Sequence, residues 1–174
     1  MTNSKTLLSG LLALTLSVSS CSKDNGTQND IKIDENNLTS CAPNSECQSF
    51  IYEKRDFSTA SPDLQTGAYR VFQRNVTTSV INSNLYIKVP MNANSFSLDK
   101  KDILSGQLKY SPWCFACLMA PGKVIDGYAK GISKNADQTK WIVEVQIIRE
   151  IEASPSFRDT MYIKQYFDKN LIVN

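Results

Sequence analysis

The chain has 174 residues, 41% of them hydrophobic, and carries 19 Lys and Arg against 17 Asp and Glu for a net charge of +2. The two signs are interspersed without a basic block, so nothing points to a nucleic-acid partner. Histidine is absent altogether. That removes Ser-His-Asp and Cys-His nucleophiles, imidazole metal ligands and histidine acid–base work, whatever the fold.

Met1 to Thr6 is polar with one cation, Lys5, and Leu7 to Val18 is an apolar run of about twelve residues. A bilayer-spanning helix needs roughly 20. A positive start, a short apolar stretch and small residues before a cut have the layout of a signal peptide. Val18-Ser19-Ser20-Cys21 resembles the bacterial lipobox. The resemblance implies diacylglyceryl attachment to the sulfur of Cys21, cleavage before it and acylation of the new amine. A thiolate is the nucleophile that takes the lipid, and each buried CH₂ adds about 0.8 kcal/mol of membrane affinity. Ser22-Lys23-Asp24-Asn25 resembles, over four residues, the surface-export signal of Bacteroidota lipoproteins, with one acid where two are usual. Together, residues 16–25 make the chain similar to the small lipoproteins common in Bacteroidota. That implies a place at the outer membrane, either exposed at the surface or on the periplasmic face.

Three segments are expected: a signal peptide over 1–20, a lipid-anchored flexible tether over 21–40 and a single β-rich domain over 41–174. The tether is rich in Ser, Asn, Asp, Lys, Thr, Gly and Gln, with Ile31, Ile33 and Leu38 as its only large apolar residues. Such a stretch buries too little to offset its ordering entropy, and as a coil it spans roughly 25 Å.

Within the domain, Gln48 to Phe57 reads as a strand and Ser58 to Gly67 as a loop. Ala68 to Ile81 is β-branched and reads as a strand with a break near Asn75. Leu85, Ile87, Val89 and Met91 alternate with Tyr86, Lys88 and Pro90, the period of 2 that turns one face inward. Pro90 lacks an N–H, so this strand ends there or lies at an edge. Asn92 to Ser95 reads as a turn, Ser97 to Leu104 as one short helical turn stopped by Ser105-Gly106, and Gln107 to Tyr110 as extended. Val124 to Ile132 is a strand in which Gly127 and Gly131 suggest bulges or close approach. Trp141 to Ile151 is a strand with Trp141, Val143, Val145 and Ile147 on one face, and Met161 to Phe167 is the last strand. Short polar turns join these three into an antiparallel meander. The expected fold is all-β or nearly so, an antiparallel sandwich or small barrel of about seven to eight strands.

Four cysteines follow Cys21: Cys41, Cys47, Cys114 and Cys117. An even number in an exported chain suggests disulfides. Three connectivities are open, and the short spacings favour local pairing over a cross-linked start and middle. Trp113-Cys114-Phe115-Ala116-Cys117 resembles the thioredoxin-type active-site pentapeptide. That resemblance implies a thiol–disulfide exchange protein with Cys114 as nucleophile, exposed at a helix N-terminus, and Cys117 as resolving thiol. Pro121-Gly122 leaves room for barely one helical turn after Cys117. A third reading takes the four cysteines as a structural zinc site.

Trp113, Phe115, Tyr110 and Trp141 read as core aromatics or as a binding platform. Arg70 and Arg74, four apart in a strand, share a face that reads as solvent-exposed, with an anion as the other partner. Glu144, Glu150 and Glu152 read as solvated face residues. Asp159-Thr160-Met161 looks like a Bacteroidota glycosylation site. No catalytic residue, resident metal or cofactor is implied. The expectation is a non-enzymatic binding or structural module, held to the membrane through Cys21, with an envelope protein or glycan as partner.

Overall fold

The structure is a computed structural model that describes residues 31–58, 63–114, 122–151 and 154–171. It is nearly all β, a single mixed sheet curled into a half-barrel. In chain order the elements are β1 (Glu46–Asp56), β2 (Gln65–Thr77), β3 (Ile81–Pro90), β4 (Ser95–Leu98), α1 (Lys100–Asp102), β5 (Leu108–Cys114), β6 (Gly122–Ser133), β7 (Lys140–Ile151) and β8 (Ser154–Lys169). Across the sheet the order is β4-β6-β7-β8-β1-β2-β3-β5. The expected meander is present as β6-β7-β8, antiparallel throughout. The sheet is mixed because β1 meets β8 in parallel, over the pairs Phe50–Asp168 and Ile51–Lys169 alone.

The sheet therefore consists of two four-stranded halves joined along a narrow seam. β3 leads into β4 in one half, and β5 returns to the other. Between them lie α1 and the turn Ile103–Gln107, stopped by Gly106 at φ 95°. Asp99 caps α1 in a reciprocal capping box with Asp102, satisfying amides that a short helix would otherwise leave open. Ile103 carries this turn into the core, and the turn packs against β6, β5 and β3.

Period-2 alternation decides what lies inside. The concave face gathers Ile51, Phe72, Leu85, Ile87, Val89, Phe96, Leu98, Leu108, Trp141, Val143, Val145, Ile147, Ile163 and Phe167 into one core. Phe72 is its centre, with ring centroids 5.3 Å from Phe96, 5.2 Å from Trp141 and 5.7 Å from Phe167. Aromatic contacts at these separations add to the area they bury. A smaller cluster of Phe57, Val71 and Tyr86 lies on the convex face of β1–β3. Lys88 crosses it, bonded to Asp56 at 2.8 Å and set over the Phe57 and Tyr69 rings.

The two glycines of β6 have different reasons. Gly131 lies flat beneath Phe96, whose ring a Cβ would meet at 2.3 Å. Gly127 follows a register shift between Val124 and Asp126 and has φ 151°. Several elements depart from expectation: β2 runs unbroken through Asn75 and stops at Thr77, and β8 begins at Ser154, ahead of Met161. Ser95–Leu98, whose first residue was read as turn and whose last two were read as the start of a helical turn, is an edge strand against β6. β5 runs through Pro112, as an edge strand tolerates. Pro90 ends β3, which is interior and not an edge.

Residues 31–40, read as part of the tether, are fastened where they are described. The Thr39 amide donates to the Lys164 carbonyl at 2.7 Å, and the Lys164 amide donates to the Thr39 hydroxyl at 2.8 Å. Glu35 pairs with Lys134 and accepts from the Tyr166 hydroxyl. These contacts supply the partners that β8 lacks where β1 diverges from it.

Cys41 and Cys47 form a disulfide, so the local pairing holds for them. It closes a loop of six residues' separation ahead of β1. Replacing both by Ala is expected to cost about 2 kcal/mol in the chain-entropy treatment of a loop this short. Paired thermal melts of wild type and variant under non-reducing conditions check this. An unchanged midpoint would show that the bridge constrains nothing.

Candidate functional site

The concave side of β2 presents Arg70, Phe72 and Arg74 in succession. Neither arginine faces solvent as the sequence suggested: Arg70 is 2% exposed and Arg74 4%. The shared face is the interior of the curl, because Phe72 between them is the core's centre and alternation carries both neighbours inward.

Arg70 is engaged in holding the fold. Its guanidinium lies 5.0 Å from the Trp141 ring centroid. Nη1 donates to the Ala93 carbonyl at 3.0 Å and Nη2 to Gln138 Oε1 at 2.5 Å, with Glu53 at 3.6 Å. Gln138, at φ 56° in the left-handed region, also accepts from Trp141 Nε1 at 3.0 Å and reaches Asn94. Glu53 is shared with Lys169 at 2.7 Å. Arg70 thus ties β2 to the β3–β4 and β6–β7 turns and shuts that end of the half-barrel.

Arg74 has a different environment. Nη1 donates to Ser49 Oγ at 3.1 Å. No carboxylate stands within salt-bridge distance of it among the described residues. Burial alone lowers its pKa, with no opposing charge to raise it, whereas Glu53 works against burial at Arg70. The register places Ser49, Arg74, Leu85 and Tyr110 side by side across β1, β2, β3 and β5. Tyr110, Val124 and Met161 pack on the core and are partly buried. Arg149 of β7 stacks over the Tyr110 ring at 4.6 Å, bridging the curl. Its charge is taken by Asp159, which accepts from both Nε and Nη2. Asp159, read as part of a glycosylation motif, is therefore engaged by Arg149, with its carboxylate partly exposed.

The convex face of β6–β8 carries a second polar group. Glu144 is 8% exposed and not a solvated residue as expected. Lys130 Nζ lies 3.0 Å from it and the Tyr128 hydroxyl donates to it at 2.9 Å. Burial, then that bond, pushes the Tyr128 hydroxyl up to about 12. Glu144 stands opposite Lys164 in the β7–β8 ladder. Lys130 and Tyr128 satisfy the carboxylate, with the Tyr162 hydroxyl also against it, so this is a stabilising network, while Lys164 reaches Asp34 at 4.0 Å. Glu150, at the surface, pairs with Arg158 at 3.3 Å, and Glu152 lies outside the described residues.

Cys114 ends strand β5 and is disulfide-bonded. Cys117, Phe115 and Cys21 lie outside the described residues. Trp141 is core, Tyr110 is half-buried, and Trp113 is 58% exposed on β5. Among the described residues no group of three or more acidic or sulfur ligands is placed to hold a metal, and no helix is long and apolar enough to cross a membrane.

The one site the sequence underweighted is Arg74. A cation in a strand reads as a surface residue unless its neighbours at i±2 are known to be core. Phe72 was the available signal. No protein-family model, curated protein or solved structure matches the chain.

Proposed function

We propose that this chain is an exported lipoprotein of the outer membrane, acylated at Cys21, that presents its half-barrel as a non-enzymatic binding or accessory module of the envelope. The observation that carries this reading is Val18-Ser19-Ser20-Cys21 at the end of a short apolar run. The Cys41–Cys47 disulfide supports it, since such bonds persist in oxidising compartments. The interior cation of β2, buried with a single serine hydroxyl as partner, supports a binding role. The thiol–disulfide reading of Cys114 and Cys117 has less support. That chemistry wants the attacking cysteine at a helix N-terminus, and Cys114 terminates a strand. The four-cysteine zinc reading needs thiolates, which Cys41 and Cys47 do not offer while joined.

The test is mass spectrometry of the mature protein. The expected N-terminus is Cys21 carrying acyl chains, and Cys21→Ser is expected to move the protein from the detergent-rich to the aqueous phase on partition. An N-terminus elsewhere, or an unacylated Cys21, would overturn the anchoring. Protease shaving of whole cells then reads which face of the membrane carries the domain.

A further inference from the structure

We infer that Arg74 is the anchor of an interior binding site for a small ligand bearing an oxyanion group, a carboxylate or a phosphate. The inference deepens the binding half of the function proposed above and rests on that half.

A buried guanidinium is ordinarily paired, because removing a charge from water without an opposite charge is costly. The half-barrel itself provides the comparison. Arg70, two positions from Phe72 on one side, has a carboxylate, two oxygen acceptors and a ring face. Arg149 has both oxygens of Asp159. Arg74, equally deep, has one hydroxyl. Its Nη1 is occupied by Ser49, which leaves Nε–H and Nη2–H, the parallel pair that matches two oxygens of a carboxylate or phosphate. Among the described residues the only sealed polar side-chain atom without a partner is Arg70 Nε, so the free edge of Arg74 still opens to solvent. Its neighbours across the sheet on this face are apolar or aromatic, Leu85 of β3 and beyond it the partly buried Tyr110 of β5. A few directional polar groups in a mainly apolar concavity are what a small-ligand site requires. The missing negative charge is the ligand's to supply.

The experiment uses the mature protein as purified from membranes, in non-ionic detergent. Thermal midpoints are measured in chloride, acetate and inorganic phosphate at equal ionic strength, for wild type and Arg74→Met. Phosphate salts also stabilise proteins in general, so the readout is the difference between the two proteins. Wild type is expected to gain a concentration-dependent rise in at least one oxyanion that Arg74→Met lacks, by linkage of binding to folding. Met keeps the volume and removes the unpaired charge, so in chloride the variant is expected to melt no lower than wild type. Which oxyanion acts assigns the head group: acetate alone a carboxylate, phosphate alone a phosphate. Should Arg74→Met not fold, Arg74→Lys keeps the charge without the fork. It is then expected to weaken oxyanion binding about tenfold, read by titration calorimetry. A wild type indifferent to both oxyanions, or a variant that responds as wild type does, would overturn the site. An unacylated Cys21 would leave the oxyanion response in place, so failure of the anchor and failure of the site are separable.

Discussion

Trp141→Ala is expected to lower stability by about 3–5 kcal/mol, the range for truncating a buried aromatic. For a domain of this size that is a fall of roughly 10–20 °C in the thermal midpoint. Trp141 is fully buried and touches the rings of Phe72 and Phe96. It also does two things a smaller hydrophobe does not. Its face receives the Arg70 guanidinium, and its Nε1–H donates to the Gln138 carbonyl. Truncation leaves a cavity and a cation above it, at the point where β2 is held to the β6–β7 turn. Trp141→Phe separates these effects. It retains a ring beneath Arg70 and loses the hydrogen bond, and is expected to cost about 1–2 kcal/mol. Urea unfolding of the three proteins is the measurement. Equal midpoints for wild type and Trp141→Ala would mean that the aromatic centre does not hold the curl together.

Gly127→Ala is expected to cost about 2–5 kcal/mol, combining backbone strain with an overpacked contact. A Cβ there would stand 2.3 Å from the Gln146 carbonyl oxygen and 3.0 Å from the Ile147 Cα, both backbone atoms of the neighbouring strand, which have little room to yield. The φ of 151° adds strain for any L side chain. Asp126 fixes this geometry by accepting from the Gly127 amide at 2.8 Å. Gly106 is the control: its φ is also positive, at 95°, yet a Cβ meets nothing within 4 Å. Gly106→Ala is expected to cost about 1 kcal/mol, from conformation alone. If both substitutions destabilise equally in thermal melts, the steric argument at the β6 bulge is wrong.

The strands were legible where alternation was clean. Leu85 to Met91 and Trp141 to Ile147 announce one apolar face, and both are core strands. β4 was obscured because four residues give alternation too little length, and Asn92 and Asn94 draw the eye to a turn. β5 was cut short at Tyr110 because Pro112 reads as a stop. At an edge a missing N–H costs no ladder bond, and that position is set by distant pairing. Sandwich and small barrel were indistinguishable for the same reason, and the open half-barrel was not foreseen. The choice turns on whether Phe50 and Ile51 meet Asp168 and Lys169, a contact that leaves no mark in either local pattern. Charge was the other source of misreading. Arg70, Arg74 and Glu144 were assigned to water on residue type, whereas the pleat and their neighbours assign them to the interior or to a covered face. Glycines were read better, since Gly127 and Gly131 each mark a place where a side chain has no room.

The seam between β1 and β8 also governs the order in which the molecule is able to assemble. β1, β2 and β3 are laddered by short-range hairpins, and so are β6, β7 and β8. Their union requires the earliest strand to find the latest, a closure that spans most of the chain and is entropically the most demanding. A polypeptide emerging amino-end first exposes the unfinished flank of β1 until β8 arrives. During that interval the Cys41–Cys47 staple and the polar stretch before it lie beside the one border most open to mispairing with another molecule.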